Sequence, residues 1–282
     1  MHYRLRNLYI RTYWKSLILG LIYQKSFKNI RTYCMFVGYP RSGHSLIGAL
    51  IDAHPNAIIG MQTDALGLFE RGFIKKQILY LILKKSINFS VVHKNKWSGY
   101  SYHIPDSHQG RFTELLVIGD KQGAVSSRRI RNNPPLLSLF LSMIGYQIKM
   151  LHIVRNPFDV ISTMYTRNLK EGKDFDRGLL EDRISAFFLN ADINNILLND
   201  PKLSIKTVFH ESFIKDAKKE FSGILTYLNL EITNDFIEKC ISIIYKEPHK
   251  SRLDILWPED LKKFVGNKIK LYPFLKHYEF NS

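Results

Sequence analysis

Short apolar runs bounded by turn residues alternate along the chain with longer segments whose apolar positions recur every three or four residues. Cys34–Val37, Leu115–Ile118, Lys149–Val154 and Ile205–Phe209 have the length and composition of buried strands. Ile58-Ile59 begins a shorter extended piece. Leu46, Ile47, Leu50 and Ile51 keep helical spacing until His54-Pro55 stops it. The same spacing predicts helices over Phe73–Lys85, Leu136–Gly145 and Gly178–Asn199. Strands alternating with helices predict a three-layer α/β fold around a central, mainly parallel sheet. No repeat, low-complexity tract or interdomain linker breaks the pattern. It therefore reads as one α/β domain over residues 31–282, preceded by a basic segment over residues 1–30.

Between these elements, Val91 to Arg111 loses all periodicity and is rich in aromatic, His, Gly and Pro residues, the signature of a long ordered binding loop. The 282 residues suffice for one domain with a substantial core, and the 45% apolar content excludes wholesale disorder. Lys and Arg number 41 against 25 Asp and Glu, a formal charge of +16. That surplus suits an anionic ligand, an acidic glycan, nucleic acid or an anionic membrane, and does not choose among them. Cys34 and Cys240 lie in apolar runs without metal-type spacing, so buried thiols in a reducing compartment are expected. The apolar stretch Ser16–Tyr23 is too short to span a bilayer, which takes about 20 apolar residues, and polar Gln24-Lys25-Ser26 follows it instead of a cleavage site. The segment reads as an interfacial helix or one packed on the domain, with the protein retained in the cytoplasm or peripheral at the inner membrane face. Phe73–Lys85 has a broad apolar face flanked by Lys75, Lys76, Lys84 and Lys85; core packing explains it most cheaply, membrane-surface contact more sharply.

The chemistry concentrates after the first strand, in Gly38-Tyr-Pro-Arg-Ser-Gly-His-Ser45. A strand, a glycine-bearing loop and a helix start aim backbone N–H groups at one point, which suits a phosphate. The spacing nearly fits a nucleotide P-loop, but His44 stands where the lysine that reaches the β- and γ-phosphates would be. The cation sits three residues earlier, at Arg41. A second arrangement follows the Lys149–Val154 run: Arg155-Asn-Pro-Phe-Asp, then Ser162 and Thr163. Pro157 and Asp159 suit a helix's first turn. Arg155 and the two hydroxyls could converge on one anion, the arginine through its planar fork; the plain alternative is an Arg–carboxylate pair with hydroxyls turned to backbone.

Tyr-Pro-Arg-Ser-Gly-His-Ser resembles the 5′-phosphosulfate loop of sulfotransferases, and Arg-Asn-Pro followed by hydroxyl residues resembles their 3′-phosphate element. The resemblance runs more diffusely from Tyr33 to Tyr278 and implies a P-loop-like fold. It implies 3′-phosphoadenosine 5′-phosphosulfate (PAPS) as donor, PAP as product and no metal. Arg41, Ser42, Gly43, His44 and Ser45 would hold the 5′ end, and Arg155 with Thr163, Ser162 in reserve, the 3′ phosphate. Arg252 and Lys250, in the basic segment His249–Trp257, would add charge there or else stand as solvated surface cations.

The base that takes the acceptor proton is where this chain departs from the family, since Gln62 stands at the place of a Glu and an amide cannot accept that proton. Asp64 is the nearest carboxylate and the first choice. Lys121 is expected on the sulfate or the acceptor, and His44 either donates to the leaving oxygen or merely packs; His93 and His103 are further bases. Basicity favours a hydroxyl of a saccharide or glycolipid as acceptor, with peripheral contact to an anionic membrane. No nucleic-acid motif accompanies the charge. Two other readings stay open: a P-loop kinase with an atypical loop, and a non-catalytic basic relative that binds PAP or membrane.

Overall fold

A computed structural model describes residues 2–97, 99–172 and 175–281, with side chains from residue 9 onward. Its strands are β1 (Thr32–Gly38), β2 (Ala57–Met61), the two-residue pair β3 (Lys96–Trp97) and β4 (Tyr100–Ser101), β5 (Val117–Lys121), β6 (Gln147–Val154) and β7 (Ile205–Phe209). The main sheet has the order β2-β5-β1-β6-β7, and every neighbouring pair is parallel. The expected α/β fold with a central parallel sheet is therefore what the chain forms. The chain fills one side of β1 first and then crosses to the other. The switch lies between β1 and β6, and open α/β sheets bind ligands beyond the carboxyl ends of the strands at such a point.

Alternation along β1 builds the layers. Tyr33, Met35 and Val37 pack into one core with Ile78, Ile82 and Phe140, whereas Cys34 and Phe36 pack into another with Ile47, Leu50, Phe221 and Leu225. The first core lies under α4 (Lys75–Val91) and α6 (Pro135–Ile144), the second under α2 (His44–Asp52) and α10 (Ala217–Leu228). Both cysteines are buried free thiols. A third core gathers α7 (Pro157–Asn168), α8 (Arg177–Leu198) and residues 255–280, through Phe158, Phe187, Trp257 and Leu275.

The structure revises several sequence expectations. β5 runs beyond Leu115–Ile118 to the polar pair Asp120-Lys121, because the buried Asp120 carboxylate accepts from the backbone N–H groups of Thr63 and Ala65, each at 2.8 Å. The helix α5 (Gly123–Asn132) was hidden by its Ser- and Arg-rich sequence. Residues 91–111 are ordered around Gln109, which accepts from Asn95 and the Ile104 N–H and donates to the Tyr102 carbonyl. The apolar face of α4 is core: Ile78, Leu79, Ile82 and Leu83 are buried. Membrane contact through that face is thus overturned. Part of α4's cover is α1 (His2–Ile22), locked on by Gln77, which donates to the Tyr13 carbonyl, and by Gly20, where a Cβ would stand 2.7 Å from the Lys76 carbonyl oxygen. No helix among the described residues is long and apolar enough to cross a membrane.

Asp52, at the end of α2, joins four segments behind the sheet edge. Its carboxylate accepts from the Ile59 N–H (2.7 Å), the Ser86 hydroxyl (2.7 Å) and the Gly110 N–H (3.1 Å). Asp52→Ala is expected to lower stability by about 3 kcal/mol, since buried donors lose their acceptor. Burial also pushes the carboxyl up to about 7. Between its unfolded value near 3.8 and about 7 the native state holds a proton that the unfolded chain does not, so this group's contribution falls as pH rises through 7. Thermal unfolding at pH 5 and pH 8 should show wild type losing stability relative to Asp52→Asn.

Candidate functional site

The loop from β1 to α2 turns sharply at residues with left-handed backbone: Gly38 (φ 137°), Arg41 (φ 62°) and Gly43 (φ 99°). A Cβ at Gly43 would stand 2.5 Å from the His210 ring, so only glycine fits there without displacing it. Arg41 is a non-glycine residue in that region, the kind of strained backbone that collects at functional sites. The helical bonds of α2 begin with the Leu46 and Ile47 N–H groups on the Gly43 carbonyl, so the His44 and Ser45 N–H groups lie ahead of them at the helix start, a cradle where an anion is favoured.

His44 does not face this cradle. It is buried, with Nε2 3.2 Å from the Val37 carbonyl and Nδ1 2.9 Å from the Ser42 hydroxyl. A carbonyl can only accept, so Nε2 carries the proton, and the single Ser42 hydroxyl proton is shared between Nδ1 and the Tyr39 carbonyl, each at 2.9 Å. Burial holds the ring neutral, lowering its pKa to about 3. A Cβ on Gly123 would come within 2.2 Å of Nε2, so the ring is wedged beneath the loop between Gly38 and Gly123. The expectation that His44 meets the leaving oxygen is corrected: it braces the loop. Ser42 is buried with it.

The cation absent from the loop arrives from the end of β5. Lys121 Nζ donates to the Ser45 hydroxyl at 3.0 Å, and its stem crosses α2 at Gly48, where a Cβ would meet Lys121 Cγ at 2.8 Å. Burial lowers the ammonium to about 8; Asp120 opposes that shift and Arg41 adds to it. The Tyr102 hydroxyl, from the 91–111 segment, lies near the same Ser45, with Arg41 and Arg167 in electrostatic reach. Ser45 is therefore the meeting point of the loop, β5 and the aromatic segment. Tyr102 and Arg167 were missed in the sequence. The only signal was the aromatic richness of residues 91–111.

The second site forms at the end of β6. Asn156 caps α7, accepting from the Phe158 N–H at 3.0 Å, with Pro157 in the first turn. Arg155 is buried; it donates to the Arg41 carbonyl at 3.3 Å, to the His249 carbonyl and to Ser251 Oγ at 3.3 Å. Its Nε is buried and has no hydrogen-bond partner among the described residues. Thr163 Oγ1 lies 3.1 Å from Ser251 Oγ, beside Arg155. The 249–252 segment thus lies against Arg155 and Thr163. The two anion loops touch through the Arg155–Arg41 bond.

Three sequence candidates are placed elsewhere. Arg252 is buried and paired with Asp159, Nη1 to Oδ2 at 2.6 Å and its N–H to Oδ1 at 2.9 Å, so it clamps the segment to α7 instead of adding charge to the cradle. Ser162 Oγ accepts from the Trp257 indole at 2.9 Å, inside the third core. Asp64 is the largest correction. Its oxygens take a two-pronged bond from Arg129 (2.7 and 2.5 Å) and a longer one from Arg71 (3.3 Å), and they cap the helix Ala65–Glu70. A carboxylate so engaged is poorly placed to take an acceptor proton. His103 Nδ1 accepts from the Asn95 amide at 3.4 Å. No group of three or more metal-type ligands gathers among the described residues.

No family model matches the chain. A putative protein-tyrosine sulfotransferase of Caenorhabditis briggsae is 24% identical over 212 residues, 71% of this chain and 66% of that protein, so the match spans just under two thirds of that relative. Among solved structures, sulfotransferase STF9 from Mycobacterium avium superposes with a TM-score of 0.50 at 10% identity, over 92% of this chain and 81% of that one. Mouse sulfotransferase SULT7A1, solved with PAP, gives 0.47 at 13% identity, over 84% of each chain. The fold of this chain is that of the sulfotransferases.

Proposed function

We propose that this protein is a sulfotransferase that moves a sulfuryl group from PAPS to a hydroxyl of a saccharide or glycolipid acceptor. The observation that carries the reading is the pair of anion loops at adjacent strand ends, β1 and β6, joined by Arg155. A donor with separate 5′ and 3′ phosphate groups matches two such loops; ATP has no use for the second. Arg41, the α2 first turn and Ser45 would take the 5′ phosphosulfate; Arg155, Thr163 and Ser251 the 3′ phosphate. Lys121, beside Ser45, would stabilise charge on the transferring group and lie next to the acceptor hydroxyl. Positioning and electrostatics dominate the analogous phosphoryl transfer. The basic surface fits an acidic acceptor and contact with an anionic membrane.

Thermal shift with PAP, ATP and GTP tests the nucleotide. Stabilisation by PAP alone is expected, and Arg41→Ala or Arg155→Ala should each weaken PAP binding by roughly 1.5–3 kcal/mol, the range for a charged hydrogen bond. Preference for ATP would replace this reading with a kinase, and no response to any nucleotide would remove the nucleotide site.

Lys121 gives the pH test. If its ammonium holds the anion, PAP affinity falls as pH rises through about 8. Lys121→Met should bind more weakly and lose that pH dependence, with turnover down about 10²–10³-fold, as for other lost charge-stabilising donors. A normal turnover would take Lys121 out of the chemistry.

For Asp64 the geometry reverses the sequence expectation. Asp64→Asn should keep turnover within a few-fold while lowering stability by about 1–3 kcal/mol through the weakened Arg129 pair. Unchanged stability with a turnover loss of about 10²–10⁴-fold would make Asp64 the base after all.

A further inference from the structure

The outer face of α1 serves no purpose in the domain. Its inner face is spent on α4 through Ser16, Gly20 and the Gln77 bonds to Tyr13 and Ser16. Tyr9 and Tyr13 also meet Phe73 edge to face, so the helix is held firmly. Outward, Ile10, Trp14, Ile18, Leu21 and Ile22 are 42–65% exposed. Their spacing of four, four, three and one residues puts them on a single stripe.

The charge beside the stripe is of one sign. Arg11 and Lys15, one helical turn apart, face Lys84 of α4 across a groove that Thr12 and Tyr80 also line. Lys25 and Lys28 follow the helix and are exposed. The chain holds no Asp or Glu before Asp52, and α4 contains none. An apolar stripe with an exposed Trp, with Arg11, Lys15 and Lys84 along it and no carboxylate on α1 or α4, is the pattern of a helix lying in a membrane interface; a carboxylate met beyond it is Glu114, on Asn29 at 2.7 Å. A protein surface would have to supply a matching acidic rim around an apolar stripe; an anionic bilayer has both the phosphates and the acyl boundary.

We infer that α1 docks this protein on an anionic lipid bilayer. The helix lies in the plane of the interface, its Ile10–Ile22 stripe at the acyl boundary. Lipid phosphates sit in the Arg11–Lys15–Lys84 groove. The contact belongs to the folded domain, because α1 is fixed to α4, so docking sets the orientation of the whole molecule. This inference does not depend on the donor or on catalysis.

The test uses the full chain and phosphatidylcholine vesicles with or without phosphatidylglycerol, without nucleotide. Co-sedimentation should need the anionic lipid and weaken as salt is raised. Trp14→Gln with Ile18→Gln should lower the partition coefficient at least about tenfold. Arg11→Gln with Lys15→Gln should lower it about fivefold for each cation and flatten the salt dependence. Quenching by lipids brominated on the chains should reach Trp14, and in Trp14→Phe should fall to what half-buried Trp97 and buried Trp257 give without it. PAP stabilisation of the same variants, matching that of wild type, would show that the fold is intact. Equal binding to neutral and anionic vesicles, or no loss in either double variant, overturns the proposal. So does a dimer in buffer, broken by the stripe variant, with no vesicle binding: the stripe would then cover a second copy.

Discussion

The site depends on one buried cation. Arg155 emerges from β6 at the sheet's switch point and donates to carbonyl oxygens of two distant segments, at Arg41 and His249. Carbonyl dipoles orient a guanidinium but do not cancel its charge, and Nε is left without a hydrogen bond. Such a group is stable where an anion completes it. On the proposed reading, the side chain that ties the Gly38–Ser45 loop to the 249–252 segment would also receive a phosphate. Surrounding contacts serve to hold it there: Glu211 accepts from the Asn156 N–H and from the Tyr278 hydroxyl, and the Asp159–Arg252 pair clamps the segment above.

His44 in place of the P-loop lysine makes physical sense in that setting. A lysine at 44 would have to leave the space between Gly38 and Gly123, and the loop would lose its bonds to Val37 and Ser42. The imidazole instead fills this space as a neutral ring, and positive charge reaches the same loop from β5. The amine of Lys121 arrives over Gly48, whose missing side chain opens the route. The loop is therefore a two-part device, with an internal brace and a cation borrowed from the neighbouring strand. Asp120 anchors the other side of that strand end to residues 63–65, so Lys121 projects from a fixed base.

Much of this was legible in the sequence because it was local. The strand starts, the Gly38–Ser45 loop and the Arg155-Asn-Pro turn are each written in fewer than a dozen consecutive residues, as is the α7 start. What could not be read were partners chosen across the fold. Asp64 looked like a free carboxylate beside the loop until Arg129, 65 positions away, took both its oxygens. Arg252 looked like a surface cation until Asp159 buried it. Lys121 and Tyr102 share no motif with Ser45, and only the sheet order brings their segments to it. α5 escaped notice because its Ser- and Arg-rich stretch lacks an apolar period, and it is a helix through packing of Ile130 and the small face of Ser126 and Ser127.

The two basic helices make the same point about surfaces. On paper α1 and α4 are alike, each an apolar stretch with lysine or arginine at its edges and no carboxylate. Packing separates them. α4 has one side on the sheet and another under α1, so its apolar residues are accounted for by the core. α1 has a single covered side, and its remaining apolar residues form a stripe that the domain does not use. A helix with two apolar sides needs two partners, and folding supplies only one of them for α1. The cations follow the same division: Lys75 is drawn over the Tyr146 ring at 3.7 Å, whereas Arg11, Lys15 and Lys84 stand together along a groove at the foot of the stripe. Charge that serves the fold is spread over aromatic faces and ion pairs; charge gathered beside bare hydrocarbon is arranged for something outside it.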